Sequence, residues 1–118
     1  MTQITLGKAL GAGLRQAMRD DEKVVLLGED IGRLGGVFRI TDGLLDEFGA
    51  KRVIDTPLAE SGIVGMAVGL AFRGYRPVVE IQFDGFVYPA FDQIVAQVAK
   101  LHYLSLIHIS EPTRQEAI

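Results

Sequence analysis

The sequence predicts an α/β fold in which helices flank a parallel sheet, because short apolar strands alternate with helical segments along the chain. The first strand is expected at residues 24–27, a continuous apolar run that is typical of a parallel strand covered on both faces. The apolar run at residues 63–72 is expected to form a helix buried on all sides. In such folds, functional groups collect where the strands end.

The first half of the chain is predicted to contain two helices and a strand. Thr5 is expected to cap a helix over residues 6–19, whose leucines fall on one stripe. After the strand at residues 24–27, a glycine-rich loop follows. Thr41 is expected to cap a short helix over residues 42–48, and Gly49 is expected to end it.

The second half is predicted to repeat this alternation. A short strand at residues 52–55 leads into the buried helix, with Pro57 at a permitted first-turn position and Gly74 at the end. The next strand is expected at residues 76–83, and Pro89 is expected to open a last helix. The ends of these strands are the places where functional side chains are expected.

Composition excludes several classes of protein. The chain has 118 residues, a net charge of −3 and no cysteine, so a nucleic-acid surface is not expected and disulfides or thiolate metal sites are excluded. The start of the sequence lacks the pattern of a signal peptide. The apolar run at residues 63–72 is too short to cross a bilayer. A cytoplasmic protein fits these features.

Glu60 is the first candidate for chemistry, because it stands at the head of the apolar helix. A carboxylate at the start of a buried helix is costly unless a specific group pairs with it. The alternative is an ordinary first-turn acid that complements the helix dipole. Spacing alone leaves both interpretations open.

Three other features have plainer interpretations. The glycine-rich loop at residues 32–36 lacks the pattern of a phosphate-binding loop, which favours an ordinary turn. Glu29 and Asp30 lack a third metal ligand at a suitable spacing, which favours a solvated loop end. Core packing is the default interpretation of an aromatic cluster that follows the last strand: Phe83, Phe86, Tyr88 and Phe91.

Five sequence blocks occur in an order that resembles one enzyme family. They are residues 27–32, 35–39, 53–62, 67–71 and 80–94. Together they resemble the β subunit of the thiamine-diphosphate-dependent first component of 2-oxo acid dehydrogenase complexes. The resemblance covers residues 5–103 and implies the incomplete N-terminal part of a pyrimidine-binding domain of the thiamine-diphosphate-binding fold, assigned to residues 1–103.

The resemblance implies roles for four residues. Glu60 matches the glutamate that bonds to N1′ of the cofactor's aminopyrimidine and shares a proton there. Phe86 matches the aromatic residue that stacks on the pyrimidine, and Leu58 and Gln82 match positions that line the same pocket. The diphosphate and its magnesium ion would be held by an α subunit, so no metal ligand is expected in this chain.

The resemblance also implies an activity and partners. The parent protein would oxidatively decarboxylate a branched-chain 2-oxo acid and pass the acyl group to a lipoyl carrier. It would assemble as two α and two β chains on a lipoyl-bearing acyltransferase core, with neither nucleic acid nor membrane as a partner. The fragment alone is expected to be inactive. The alternatives are a pyruvate dehydrogenase β subunit and a non-catalytic binding module that kept the fold.

Residues 104–118 depart abruptly from the family pattern. They read LSLIHISEPTRQEAI, which resembles translated sequencing-adapter read-through. The segment is therefore predicted to be a tail without an evolved function.

Overall fold

The computed structural model describes residues 3–103 and confirms the predicted fold class. Three strands in these residues form a parallel sheet in the order β2-β1-β3, with helices against it. In chain order the elements are α1 (Leu6–Asp20), β1 (Val24–Gly28), α2 (Leu44–Phe48), β2 (Val53–Asp55), α3 (Glu60–Phe72), β3 (Arg76–Glu80), a 3₁₀ helix (Asp84–Ala90) and a π-helix (Gln93–Val98).

The central strand β1 aligns the ends of all three strands. Every residue of β1 is buried, as expected for a strand with neighbours on both edges and helices on both faces. Its last residue, Gly28, pairs with Asp55 of β2 and with Glu80 of β3. The loops that follow the three strands therefore begin at the same edge of the sheet.

Side chains alternate along β1 and build a core on each face of the sheet. Val24 and Leu26 pack with Met18 of α1 and Leu44 of α2. On the other face, Val25 and Leu27 pack with Ile63 of α3. The continuous apolar run in the sequence thus serves two separate clusters.

Arg52 joins the turn between α1 and β1 to the start of β2. Its Nη2 donates to the carbonyl oxygens of Met18 at 2.7 Å, Asp21 at 2.9 Å and Val24 at 3.0 Å. The guanidinium also lies over the Phe48 ring, with its central carbon 4.9 Å from the ring centroid. One side chain therefore binds a carbonyl in the last turn of α1 and two carbonyls of the segment that leads into β1.

The predicted cap of α1 is confirmed, and the predicted cap of α2 is wrong. Thr5 Oγ1 accepts a hydrogen bond from the Lys8 N–H at 3.2 Å.

Thr41, the predicted cap of α2, is buried, and its hydroxyl donates to the Ile31 carbonyl at 2.7 Å. Gly43 adopts a positive φ of 80°, so the helix begins only at Leu44; it ends before Gly49 as predicted.

The helix α3 begins three residues later than Pro57. The Thr56 N–H donates to the Gly28 carbonyl at 2.9 Å, which continues the parallel ladder past β2. The residue before a proline also disfavours helical conformation, so Thr56 remains outside the helix. Glu60 is thus the first helical residue, and Ala59 takes the N-cap position.

The prediction that α3 is buried on all sides is wrong for the described residues. Only Ile63 and Val64 are buried, whereas Met66 is 50% and Phe72 is 69% exposed. One side of α3 packs on the sheet, and the 3₁₀ and π helices cover only part of the rest. Within residues 3–103, nothing packs over its outer face.

The last predicted strand and helix also differ from the structure. β3 ends at Glu80 rather than at residue 83, because Glu80 already pairs with the last residue of β1. Pro89 lies inside the 3₁₀ helix instead of opening an α-helix. β3 forms an edge of the sheet in the described part of the chain, and its Val78 is 38% exposed.

Two further sequence-based predictions concern the rest of the chain and membranes. The predicted tail at residues 104–118 lies outside the described residues. Among residues 3–103, no helix is both long enough and apolar enough to cross a membrane.

We expect Leu27→Ala to destabilise the protein by about 2–5 kcal/mol, because Leu27 is fully buried between β1 and α3. Denaturant unfolding at pH 7 measures this change. Phe72→Ala is the matched control, since this larger apolar side chain is 69% exposed and should cost much less. Equal losses in the two variants would contradict the described core.

Candidate functional site

The candidate site lies where the three parallel strands end. Glu29 directly follows β1, Glu60 begins the helix after β2, and Gln82 follows β3. Glu60 and Gln82 therefore lie after strand ends, as their positions in the sequence predicted. The structure also brings Glu29 to the same place.

A pair of carboxyl groups, Glu29 and Glu60, forms the centre of this site. Glu29 is 6% exposed, and its Oε1 has no hydrogen-bond partner among the described residues. Burial raises the pKa of the Glu29 carboxyl; the neighbouring Glu60 raises it further through its charge and a hydrogen bond, and Asp30 adds a smaller repulsion. Glu29 therefore keeps its proton to a higher pH than an ordinary exposed glutamate does.

The prediction that Glu29 is a solvated loop end is wrong. Sequence spacing showed no third metal ligand, but it did not show that the Glu29 side chain is buried. A signal was present, because Glu29 and Glu60 follow strands that are neighbours in a parallel sheet. The rule that placed Glu60 at a strand end applies equally to Glu29.

The backbone around Glu29 is held by hydrogen bonds on both sides. The Gly28 carbonyl accepts from the Thr56 N–H at 2.9 Å. The Glu29 carbonyl accepts from Gln82 Nε2 at 3.4 Å, a long contact that joins the loops after β1 and β3. The Ile31 carbonyl accepts from the buried Thr41 hydroxyl. The position of Glu29 thus depends on residues distant in sequence.

The glycine-rich loop forms turns, as the sequence favoured. Gly35 and Gly36 have φ angles of 83° and 85°, which glycine adopts readily. Their N–H groups donate to the carbonyls of Gly32 at 3.1 Å and Asp30 at 2.8 Å. These donors are used within the loop, so they do not form a cradle for phosphate.

Leu58 and Phe86 offer open apolar surface near these strand ends. Leu58 lies in the loop between β2 and α3 and is 77% exposed, and Phe86 lies in the 3₁₀ helix and is 41% exposed. The Phe86 ring meets the Phe83 ring edge-on, with centroids 5.5 Å apart, and Phe83 meets Phe38 in the same way. Neither Leu58 nor Phe86 is part of the core.

The interpretation of the aromatic cluster as core packing is wrong. Phe83 is 46%, Tyr88 is 78% and Phe91 is 55% exposed. The 3₁₀ helix packs on α3 through other residues and leaves these rings on the surface. The cluster therefore forms an exposed aromatic surface in and around the 3₁₀ helix.

The side chains at this site suit a flat heteroaromatic ring that can accept a proton. Glu60 supplies a carboxyl group, Leu58 and Phe86 supply apolar and aromatic surface, and Glu29 has an oxygen without a partner. An aminopyrimidine ring therefore fits these residues. Among residues 3–103, no group of three His, Cys, Asp or Glu side chains is arranged so that it could hold a metal ion.

An apolar cavity of about 230 Å³ lies elsewhere, between α1 and the sheet. Its walls include Leu10, Leu14 and Val78, with Thr41 and Glu80 as the polar members. Burial raises the pKa of the Glu80 carboxyl, whose Oε2 has no hydrogen-bond partner among the described residues. None of the predicted site residues lines this cavity, so it is separate from the carboxyl pair.

Comparison with known proteins defines the class to which this fold and site belong. Residues 2–113 match the family model of the transketolase pyrimidine-binding domain, and the chain belongs to this family.

Individual relatives are similar over most of this chain. It is 72% identical over 94 residues to the pyruvate dehydrogenase E1 component subunit beta of Leifsonia xyli, which covers 80% of this chain and 28% of that protein. It is 60% identical over 97 residues to the 3-methyl-2-oxobutanoate dehydrogenase subunit beta of Mycobacterium tuberculosis, covering 82% of this chain and 28% of that protein. The chain therefore spans less than a third of the length of these relatives.

We expect the free energy of unfolding to fall as the pH rises above the ordinary glutamate pKa of about 4.3, and Glu29→Gln to remove part of this fall. The pKa of Glu29 is higher in the folded state, so between the two pKa values the folded state binds more protons than the unfolded state. Above the folded pKa the variant should therefore be the more stable relative to wild type. Denaturant unfolding at a series of pH values measures this.

Glu80→Gln and Glu60→Gln distinguish the source of the effect. The pKa of Glu80 is also raised, but by burial without a contribution from a neighbouring acid. The effect of Glu29→Gln should shrink in a Glu60→Gln background and persist in a Glu80→Gln background. An effect equally large in both backgrounds would contradict the coupling of Glu29 with Glu60.

Proposed function

We propose that the parent of this chain is the β subunit of a thiamine-diphosphate-dependent 2-oxo acid dehydrogenase. The observation that supports this best is the buried Glu29, coupled to Glu60 at the start of α3, in a member of the pyrimidine-binding family. Phe86 is exposed in the 3₁₀ helix that packs on α3. The proposed activity is oxidative decarboxylation of a branched-chain 2-oxo acid, with transfer of the acyl group to a lipoyl carrier.

Pyruvate is the second candidate substrate. The blocks at residues 35–39 and 88–93 favour the branched-chain type, whereas 72% identity to a pyruvate dehydrogenase subunit favours pyruvate. The ratio of kcat/KM for 3-methyl-2-oxobutanoate and for pyruvate, measured on the full-length assembly, decides between the two substrates. Absence of activity towards both, with cofactor binding retained, would favour a binding module.

In this proposal, the residues of this chain orient the cofactor and hold one proton at its aminopyrimidine ring. Thiamine diphosphate, when bound, supplies the electron sink that decarboxylation requires. The Glu60 carboxyl shares a proton with the N1′ atom of the aminopyrimidine, and Phe86 covers a face of that ring. Leu58 and Gln82 line the same pocket. Because Glu29 is buried, water is kept from one side of the carboxyl pair. This strengthens the hydrogen bond through which Glu60 shares a proton with N1′.

The remaining parts of the proposed site come from other chains. An α subunit would hold the diphosphate and its magnesium ion, in an assembly of two α and two β chains. A lipoyl-bearing acyltransferase core would receive the acyl group. The assembly is proposed to be cytoplasmic, which agrees with the absence of cysteine from the 118 residues.

We expect Glu60→Gln in the full-length assembly to reduce kcat by about 10²–10⁴-fold, because an amide cannot share the proton that the carboxyl group holds. Steady-state kinetics at saturating cofactor measures this loss. Glu22→Gln is the matched control, since Glu22 is exposed between α1 and β1. A near-native rate for Glu60→Gln would mean that Glu60 only complements the helix dipole.

We also expect the isolated full-length β subunit to bind thiamine diphosphate too weakly to measure in the micromolar range. The site at the strand ends presents surface for a pyrimidine ring, but the glycine loop uses its N–H groups internally. Titration calorimetry with the β subunit alone and with the α/β assembly compares the two. Micromolar binding by the β subunit alone would contradict the shared site.

A further inference from the structure

Asp55 is the last residue of β2 and contacts the loop that carries Glu29. Its Oδ1 accepts a hydrogen bond from the Gly32 N–H at 2.7 Å, and its Oδ2 lies 3.5 Å from the Arg33 N. We propose that Asp55 is a positioning residue that holds Glu29 against Glu60. This inference rests on the proposed function, because it assigns Asp55 a role through the proton held at Glu60.

The contact joins the two loops that carry the carboxyl pair. Asp55 precedes Glu60 by five residues, and Gly32 follows Glu29 by three. The Thr56 N–H also bonds to the Gly28 carbonyl, so the two loops are joined before and after Glu29. A shift of either loop relative to the other would therefore change the separation of the two carboxyl groups.

The loop needs such an anchor because it turns sharply after Glu29. Asp30 adopts a φ of 58°, a left-handed conformation that a side chain disfavours. Such a conformation persists where the surrounding structure fixes it from several directions. The hydrogen bond from Gly32 to Asp55 and the buried hydroxyl of Thr41 on Ile31 provide two of these restraints.

Gly32 fits closely against Asp55. A Cβ added at Gly32 would lie 2.6 Å from Asp55 Oδ2 and 3.0 Å from Asp55 Cγ. A side chain at position 32 would thus displace the carboxylate or the loop. The contact between Gly32 and Asp55 can therefore be broken by a substitution at either residue, which gives two independent variants.

The charges around Glu29 show why its position matters. Glu60 and Asp30 are the acidic groups that act on Glu29, and no basic side chain shifts its pKa. Glu29 and Glu60 follow neighbouring strands of the sheet, and the charge of Glu60 raises the pKa of the Glu29 carboxyl, an effect that weakens as the two groups move apart. In this proposal Asp55 acts through the loop that it holds, by fixing the distance between two other carboxyls.

The test uses the full-length α/β assembly with Asp55→Ala, Asp55→Asn and Gly32→Ala. Infrared titration of the cofactor-free assembly follows the protonated carboxyl band that Glu29→Gln removes. We expect Asp55→Ala and Gly32→Ala to move the midpoint of this band down towards the ordinary glutamate value of about 4.3. Asp55→Asn should keep the wild-type midpoint, because its amide oxygen still accepts from the Gly32 N–H.

Kinetics of the loaded enzyme provide the second readout. We expect Asp55→Ala and Gly32→Ala to lower kcat by about 10- to 100-fold, the size of a small misplacement of reacting groups, with KM for the 2-oxo acid unchanged. Asp46→Ala is the matched control, because Asp46 is an exposed acid of α2. If Asp55→Ala does not assemble, Gly32→Ala decides the outcome.

An unchanged band midpoint in Asp55→Ala or in Gly32→Ala would overturn the proposal, even if thermal stability fell. Loss of kcat in Asp55→Asn equal to that in Asp55→Ala would also overturn it, since the retained hydrogen bond would then be irrelevant. Failure of the proposed function is distinguishable. In that case the wild-type assembly decarboxylates no 2-oxo acid, while the infrared midpoints still report whether Asp55 positions Glu29.

Discussion

The pairing of β1 with a parallel strand on each side is the constraint on which the rest of the structure depends. Each residue of β1 is buried, so its backbone groups must find partners in β2 and β3 or in the loops beyond them. Because Gly28 pairs with both Asp55 and Glu80, three chain segments leave the sheet together. The hydrogen bonds between the strands therefore bring the site residues to one edge of the sheet, whatever contacts those residues make with one another.

The site itself differs chemically from the sheet that supports it. Apolar side chains fill both faces of the sheet, yet carboxyl groups gather at its end: Glu29, Asp55 and Glu60. Asp55 is matched by backbone N–H donors, whereas Glu29 retains an oxygen without a partner among the described residues. The unmatched carboxyl is the one coupled to Glu60. Satisfied polar groups therefore support the loop, whereas Glu29 is the carboxyl whose charged form burial disfavours.

Sequence patterns predicted the elements that are determined by residues close to one another in the sequence. The run at β1, the cap at Thr5 and the stop at Gly49 depend on neighbours in sequence, and the structure confirms all three. The predicted start of α3 was wrong because the Thr56 N–H bonds to the carbonyl of Gly28, which lies 28 residues earlier in the chain. Glu29 was missed for the same reason, since its burial comes from a loop held by Thr41, Asp55 and Gln82. Periodicity does not contain such long-range contacts.

The three carbonyls bonded by Arg52 have a consequence for the order in which the chain can become structured. The corner between α1 and β1 is closed by a side chain that lies 28 residues after Val24 and 34 after Met18. During synthesis, this corner therefore stays incomplete until residue 52 has left the ribosome. Forming it earlier would require closing a loop without the contact that repays the lost chain entropy. The N-terminal helix and the central strand thus acquire their final angle together with β2.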